Sequence, residues 1–209
     1  MAQKDVGNKI PIYKLKTTDE VMKYYDEWGD KDKYNKDMLD WNYTGPKETV
    51  NILKNYAKNK DILIFDAGCG TGLVGKELKK FGYKNFHGAD LSQTLLDSIP
   101  KGLYKKLDKV DLNQTIKVDD NFYDAVMCVG TFTYGHVKPQ ALEEFIRITK
   151  SEGLICFTIN EGIYKEYGFD KKIDEFKKKN KWNEIEFFKS DYIKSKDVNA
   201  WLGLYKVKK

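Results

Sequence analysis

The stretch Ile62-Leu-Ile-Phe-Asp-Ala-Gly-Cys-Gly-Thr-Gly72 decides how the chain folds. Its first four residues are apolar, too few for a helix, and typical of a strand in the centre of a parallel sheet, where both faces are buried. The alternating glycines that follow lack a Cβ, so the backbone can turn tightly and approach a ligand closely. The stretch therefore predicts a strand, a turn and a helix start that present main-chain N–H groups to a bound molecule.

Two kinds of ligand fit such a loop. Gly70-Thr-Gly-Leu-Val-Gly75 matches the G-x-G-x-x-G pattern of dinucleotide-binding proteins, and Asp90 follows at about the required spacing. A pyrophosphate favours positive potential here, whereas Asp66 places a carboxylate just before the glycines. That carboxylate favours a cationic ligand without phosphate, such as S-adenosylmethionine, which carries an ammonium and a sulfonium group. A nicotinamide dinucleotide remains the alternative.

The same residues resemble a known family. Asp66-Ala-Gly-Cys-Gly-Thr-Gly72 closely resembles the first motif of the class I S-adenosylmethionine-dependent methyltransferases, and three later segments follow in the order of that family. The resemblance implies that Asp90 binds the ribose hydroxyls, that Asp111 accepts from the adenine amino group, and that the Leu112 N–H donates to the adenine ring. The core residues expected to bind the cofactor are Asp66, Ala67, Gly68, Gly70, Asp90, Leu91, Asp111, Leu112, Val129 and Gly130.

Strands and helices alternate through most of the chain. This order predicts an α/β fold, with a Rossmann-like, doubly wound, mostly parallel seven-stranded sheet and helices on both faces. Two late strands, at 184–188 and 198–207, have little but a loop between them. We therefore expect the last strand to be antiparallel, which is the arrangement of the methyltransferases rather than that of a nicotinamide enzyme.

Aromatic rings are unusually dense before the first glycine. Two helical patterns between residues 18 and 58 surround these rings, which are Tyr24, Tyr25, Trp28, Tyr34, Trp41 and Tyr43. The rings either pack this segment onto the domain or form a lid that shields a sulfonium and excludes water. Both interpretations stay open for Tyr25 and Tyr34, which are candidate cofactor contacts, and packing is favoured for Trp28 and Trp41. We expect one domain, 1–209, with a flexible segment at 1–17, a helical aromatic lid at 18–58 and the Rossmann-like core at 59–209.

A further segment suggests a subgroup and a catalytic residue. Tyr134-Gly-His136, together with residues 122–159, more closely resembles the Williams-Beuren syndrome chromosome region methyltransferase-like subgroup, whose members join an aromatic N-terminal segment to this core. The resemblance covers about residues 22–159 and does not fix a substrate. His136 follows the fourth strand, where the methyl acceptor is expected, so it is a candidate catalytic base, with a structural hydrogen-bonding role as the alternative. Tyr134, His136, Asn160 and Glu161 are candidate substrate contacts.

Composition restricts the class of protein. A chain of 209 residues with 41% hydrophobic residues is suited to one soluble α/β domain. Cys69, Cys128 and Cys156 lack metal-site spacing and indicate buried thiols in a reducing compartment, so we expect no metal. No stretch resembles a membrane span or a signal peptide, which favours the cytoplasm and no membrane partner. The net charge of +5 comes from 37 basic and 32 acidic residues, and the one dense basic run, 177–181, is typical of a solvated helix face, so we expect no nucleic-acid partner.

These features together predict an S-adenosylmethionine-dependent methyltransferase. It would transfer the methyl group to a nucleophilic N, O or S atom of a small molecule and leave S-adenosylhomocysteine as the second product. We expect a monomer or a weak homodimer. Two alternatives stay open, an NAD(P)-dependent oxidoreductase and a non-catalytic S-adenosylmethionine-binding interaction module.

Overall fold

A computed structural model describes residues 9–15, 17–29 and 32–209 of the chain. The segment 1–17 expected to be flexible lies partly outside these residues. Its described part is packed: Pro11–Lys14 forms a 3-10 helix, and Ile12 is only 3% exposed. The apolar side chains within this short stretch explain why it packs against the rest of the protein.

Seven strands in the described part form one mixed sheet, in the order β3-β2-β1-β4-β5-β7-β6. Strands β1 to β5 pair in parallel, whereas β7 runs antiparallel to both of its neighbours, β5 and β6. The prediction of a mostly parallel Rossmann-like sheet with an antiparallel last strand is therefore confirmed. The strands are β1 (Ile64–Ala67), β2 (Phe86–Asp90), β3 (Lys106–Lys109), β4 (Tyr123–Phe132), β5 (Thr149–Asn160), β6 (Trp182–Ile193) and β7 (Val198–Val207).

Helices cover both faces of this sheet. They are α1 (Thr18–Trp28), α2 (Lys33–Asp40), α3 (Gly45–Tyr56), α4 (Leu73–Lys80), α5 (Gln93–Asp97), α6 (Ala141–Ile148), α7 (Ile163–Glu166) and α8 (Phe169–Lys178). Helices α3 to α5 contribute to the hydrophobic core on one face, and α6 to α8 contribute to the core on the other. This two-sided cover is what the alternation of strands and helices along the sequence predicts.

Side chains along β1 alternate between the two cores. Ile64 belongs to the core beneath α3 and α4, and the next residue, Phe65, belongs to the core beneath α6. Since successive side chains of a strand point to opposite faces, Asp66 shares the face of Ile64. This alternation later decides where the Asp66 carboxylate lies.

The N-terminal part of the chain covers one end of the sheet. Its described part contains three helices, α1 to α3, and α3 begins beside Pro46. Helix α1 starts with a capping box, in which Thr17 and Glu20 each accept a hydrogen bond from the other's backbone N–H. Buried side chains of this part, such as Val21 and Trp28, share a third core with residues at the end of β6 and the start of β7.

Several boundaries differ from the sequence prediction. The third strand ends at Lys109, so Val110 to Gln114 follow it as a loop, and helix α7 has no counterpart in the predicted order. The three cysteines are buried free thiols, as expected. In the basic run, Lys177 pairs with Glu184 at 2.5 Å and Lys179 with Glu175 at 2.7 Å. None of the described helices is long and apolar enough to cross a membrane.

Candidate functional site

A cleft of about 690 Å³ opens at the carboxyl ends of the parallel strands, beneath α1 and α2. In open α/β sheets ligands bind at this edge, next to the point where the strand order reverses, which here lies between β1 and β4. The cleft is lined by Thr18, Val21, Met22, Tyr25, Tyr34, Gly68, Gly70, Asp90, Leu91, Leu95, Val110, Asp111, Leu112, Asn113, Val129, Gly130, Thr131, Gly135, His136 and Val137. Most of the predicted cofactor contacts are thus brought together in one place.

The glycine loop after β1 forms the floor of the cleft. The backbone N–H groups of Gly68 and Cys69 both donate to the Ala89 carbonyl, at 2.8 and 2.9 Å, which ties the loop to β2. Gly68 has a φ of 77°, and a Cβ at this position would lie 2.0 Å from Thr131 Oγ1. Both the left-handed backbone and the contact with Thr131 require glycine.

Asp90, at the end of β2, holds this loop in place. Its Oδ2 accepts from the Gly70 N–H at 2.8 Å, and its Oδ1 accepts from the Ser92 N–H at 2.9 Å. Burial raises the pKa of Asp90, and the bonds from these N–H groups oppose that shift. Each carboxylate oxygen has a second lone pair, so the fixed carboxylate can still accept hydrogen bonds from a ligand in the cleft.

The loop after β3 closes one side of the cleft. Asp111 Oδ1 accepts from the Asn113 N–H at 2.9 Å, a local bond that orients the carboxylate. The side chain of Leu112 is 4% exposed and packs into the core. Asp111 and Leu112 both line the cleft, as do Val129 and Gly130 at the end of β4.

Asp66 and Ala67 are predicted cofactor contacts, but neither lines the cleft. Asp66 is fully buried on the face of β1 that α3 and α4 cover. There it accepts a hydrogen bond from the Tyr104 hydroxyl at 2.5 Å. Burial raises the pKa of Asp66 to about 7, so its carboxyl group is about half protonated at neutral pH and mostly protonated at lower pH. Strand alternation thus turns the Asp66 side chain away from the cleft, so its carboxyl group does not line the surface that faces a bound ligand.

Aromatic side chains from α1 and α2 form the roof. Tyr25 and Tyr34 line the cleft, with their ring centroids 6.2 Å apart, and Tyr25 stacks on Trp28 at 6.0 Å. Trp28 donates its indole N–H to Asp37 at 2.6 Å and packs against Trp41 at 5.6 Å. The same ring cluster thus packs this segment together and contributes two tyrosines to the lining of the cleft.

His136 also lines the cleft, in contact with the roof. Its Nδ1 donates to the Tyr134 carbonyl, so in the neutral ring Nε2 is the acceptor and takes the hydrogen bond from the Tyr25 hydroxyl at 3.0 Å. Burial lowers the pKa of His136 to about 4. The imidazole is consequently neutral at physiological pH, and its free lone pair is already used by Tyr25.

Three other predicted substrate contacts lie outside the cleft. Tyr134 packs on Tyr13 at a centroid distance of 5.3 Å. Asn160 is 1% exposed and accepts from the Gly162 N–H at 2.9 Å through its Oδ1. Glu161 pairs with Lys189 at 2.6 Å. None of these three side chains lines the cleft.

A second cavity of about 370 Å³, here called the aromatic chamber, adjoins the cleft. Tyr25, Tyr34 and Gly130 line both. The chamber is lined by Ile10, Ile12, Tyr13, Tyr25, Trp28, Tyr34, Met38, Trp41, Tyr43, Gly130, Thr133, Tyr192 and Ile193. Sequence reasoning does not predict Tyr13, Thr133 or Tyr192 as site residues, because they are far apart in the chain and belong to no motif.

Several known proteins are similar to this chain in sequence. A family profile described as "Methyltransferase domain" matches residues 65–157. Human methyltransferase-like protein 27 is 34% identical over 139 residues, which are 65% of this chain and 56% of that protein. An uncharacterized protein of Methanocaldococcus jannaschii is 32% identical over 157 residues, 72% of this chain and 66% of that protein. The chain thus spans less than two thirds of the length of these curated relatives.

Solved structures show the same fold at low sequence identity. A putative methyltransferase from Haloferax volcanii, in complex with the methyltransferase activator Trm112, has a TM-score of 0.64 and 15% identity over 88% of this chain and 98% of that chain. Magnesium protoporphyrin IX methyltransferase from Synechocystis PCC 6803, solved with bound S-adenosylmethionine, has a TM-score of 0.60 and 14% identity over 78% of this chain and 79% of that chain.

We predict that Gly68→Ala will strongly weaken binding of S-adenosylhomocysteine. The new Cβ would be strained at a φ of 77° and would collide with Thr131, which displaces the loop. Gly82→Ala is the matched control, because Gly82 has a φ of 85° but no atom within 4 Å of its Cβ position. Calorimetric titration of both variants with S-adenosylhomocysteine distinguishes two effects. One is backbone strain, about 1–2 kcal/mol in each variant, and the other is displacement of the loop that forms the floor of the cleft. Equal affinities in the two variants would contradict the assignment.

We also predict that Asp66→Asn will change the dependence of stability on pH. The folded pKa of about 7 lies above the unfolded value of about 3.9, so the Asp66 side chain binds more protons in the folded state between these values. The contribution of Asp66 to stability should therefore fall as pH rises from 4 to 7, by on the order of 3 kcal/mol, whereas the lowered pKa of His136 acts in the opposite direction. Urea unfolding across this range should show that the stability of the wild type relative to Asp66→Asn falls by this amount. Asp97→Asn, on the exposed side of α5, should keep the wild-type slope, and a wild-type slope in both would refute the protonation of Asp66.

Proposed function

Since the chain belongs to the class I S-adenosylmethionine-dependent methyltransferases, we propose that it transfers the methyl group of S-adenosylmethionine to a nucleophilic atom of a small molecule. The observation that carries this proposal is the carboxylate of Asp90, fixed by Gly70 and Ser92 at the floor of the cleft. A carboxylate held in this way can accept both hydroxyls of a ribose.

The other cleft residues suit the rest of the cofactor. Asp111 can accept from the adenine amino group, while the Leu112 N–H can donate to the ring, and the bare backbone at Gly68 and Gly70 leaves room for the chain between adenosine and sulfur. The bound cofactor supplies an already activated methyl group. The protein's task is then to align the acceptor and exclude water, which contributes up to about 7–11 kcal/mol in well-aligned reactions.

Residues 18–58 are proposed as the lid that excludes this water, within a single domain. The support is the placement of Tyr25 and Tyr34 between the cleft and the solvent side of α1 and α2. Rings attract cations at their faces, so these two side chains also suit a sulfonium beneath them.

His136 is proposed to act mainly by positioning Tyr25. A general base works best when its pKa is near the working pH, and the pKa of His136, about 4, is too low for efficient proton removal at neutral pH. The hydrogen bond from the Tyr25 hydroxyl to Nε2 instead fixes one edge of the roof. The expectation that His136 is the catalytic base is thus replaced by a positioning role in this proposal.

A small acceptor is favoured by the roof over the cleft and by the aromatic chamber beside it. Pairing of the basic run with Glu175 and Glu184 argues against a nucleic-acid partner. The buried free thiols support the cytoplasm as the location. We keep the expectation of a monomer or weak homodimer, although the Haloferax volcanii neighbour was solved with an activator.

We predict that Asp90→Ala will weaken S-adenosylhomocysteine binding by about 1.5–3 kcal/mol, the typical contribution of hydrogen bonds to a charged group. Asp97→Ala, on the exposed side of α5, should bind like the wild type. Isothermal calorimetry with S-adenosylhomocysteine and NAD measures both the loss and the choice of cofactor. Unchanged affinity in Asp90→Ala, or tight NAD binding by the wild type, would contradict the proposed function.

A second prediction concerns the protonation of His136. Its ring should remain neutral from pH 8 down to about 5 and titrate near 4. Tyr25→Phe should raise this pKa, because the lost hydrogen bond stabilises the neutral ring. NMR titration can follow the two histidines of the chain, with His87→Gln as the variant that assigns the signals. A His136 pKa near 6.5 in the wild type would restore the residue as a candidate base.

A further inference from the structure

The aromatic chamber carries an inference about the methyl acceptor that rests on the proposed function. The chamber meets the cleft at Gly130, which lies near the end of β4. Gly130 lines both cavities, as do Tyr25 and Tyr34. A Cβ at Gly130 would lie 2.7 Å from the Tyr43 hydroxyl and 3.3 Å from the Tyr192 hydroxyl. An acceptor in the chamber therefore reaches the cleft past these two hydroxyls.

The lining of the chamber is uncharged. Among the described residues that form it, none is Asp, Glu, Lys, Arg or His. The tyrosines are neutral phenols at physiological pH, because burial raises the pKa of Tyr13 to about 12 and also raises the pKa values of Tyr43 and Tyr192. An ionised carboxylate or phosphate placed here would lose its hydration without a compensating cation. The chamber thus excludes anionic acceptors.

Aromatic rings dominate the same lining. Tyr43 and Tyr192 meet edge to face with centroids 5.0 Å apart, and Trp28 meets Tyr34 edge to face at 4.9 Å. Such groups of rings present negative π-faces, which bind ammonium groups, quaternary ones included. The chamber is therefore suited to a group that carries or acquires a positive charge.

One buried polar atom in the chamber has no partner. Thr133 is 5% exposed, and its Oγ1 makes no hydrogen bond within the described part of the chain. The Tyr13 hydroxyl lies nearby, but without the geometry of a bond to Thr133 Oγ1. A buried polar group without a partner costs free energy, and a polar group of a bound ligand would satisfy it.

From these features we infer that the aromatic chamber binds a small neutral amine and presents its nitrogen to the methyl group beside Gly130, with Thr133 Oγ1 bound to a polar group of the acceptor. The nitrogen lone pair forms the new C–N bond, and the C–S bond breaks with its electron pair left on sulfur. The positive charge thereby moves from sulfur to nitrogen, where the ring faces stabilise it. Any N–H proton leaves afterwards to water, so the step needs no base in the chamber.

The test is calorimetric titration of the protein saturated with S-adenosylhomocysteine. The probes are choline and its neutral isostere 3,3-dimethylbutan-1-ol, which has the same shape and the same hydroxyl group but no charge. Choline should bind at least about tenfold more tightly, as a cation between several rings does. Equal or weaker binding of choline, or no binding of either probe, would overturn the inference. Failure of S-adenosylhomocysteine itself to bind would instead remove the proposed function on which it rests.

Variants locate the effect in the chamber. Tyr43→Leu, at a half-buried position outside the helices, should reduce the preference for choline about threefold or more, whereas Tyr43→Phe should keep it. Thr133→Val should weaken both probes alike and leave their ratio unchanged. All three variants should retain wild-type affinity for S-adenosylhomocysteine, which also reports that they are folded. A choline preference that survives in Tyr43→Leu would place the cation site elsewhere and overturn the inference.

Discussion

The hydrogen bond from the Gly70 N–H to the Asp90 carboxylate is the contact on which the site depends. It joins the loop after β1 to the end of β2, and the bonds from Gly68 and Cys69 to the Ala89 carbonyl reinforce the same junction. The loop is thereby held in left-handed backbone that only glycine adopts without strain. One carboxylate thus shapes the floor of the cleft and presents its remaining lone pairs to the ligand.

Much of this arrangement follows from local sequence. The short apolar run, the glycines and the alternation of strands and helices predict the sheet, its antiparallel last strand and the edge at which ligands bind. Asp90, Asp111 and Leu112 were predicted from the family resemblance, and all three line the cleft because each lies at or just after the carboxyl end of a strand. The motif did not show from which face of β1 the Asp66 side chain points.

Tertiary packing determines what sequence could not predict. The aromatic chamber combines Tyr13, Tyr43 and Tyr192, and it is the antiparallel return of β7 that places the end of β6 beside the N-terminal segment. Likewise, nothing local indicates that the Tyr25 hydroxyl donates to His136, 111 positions away. Burial of the same imidazole lowers its pKa. In this proposal His136 supports the roof of the cleft through Tyr25. A methyl transfer that needs no general base therefore fits the site better.

The most direct test of this account is a crystal structure of the protein with S-adenosylhomocysteine. The account predicts the ribose hydroxyls within hydrogen-bonding distance of the Asp90 carboxylate, adenine beside Asp111 and Leu112, and the sulfur atom near Gly130, facing the aromatic chamber. A ligand bound outside the cleft, or a ribose held by residues other than Asp90, would contradict it.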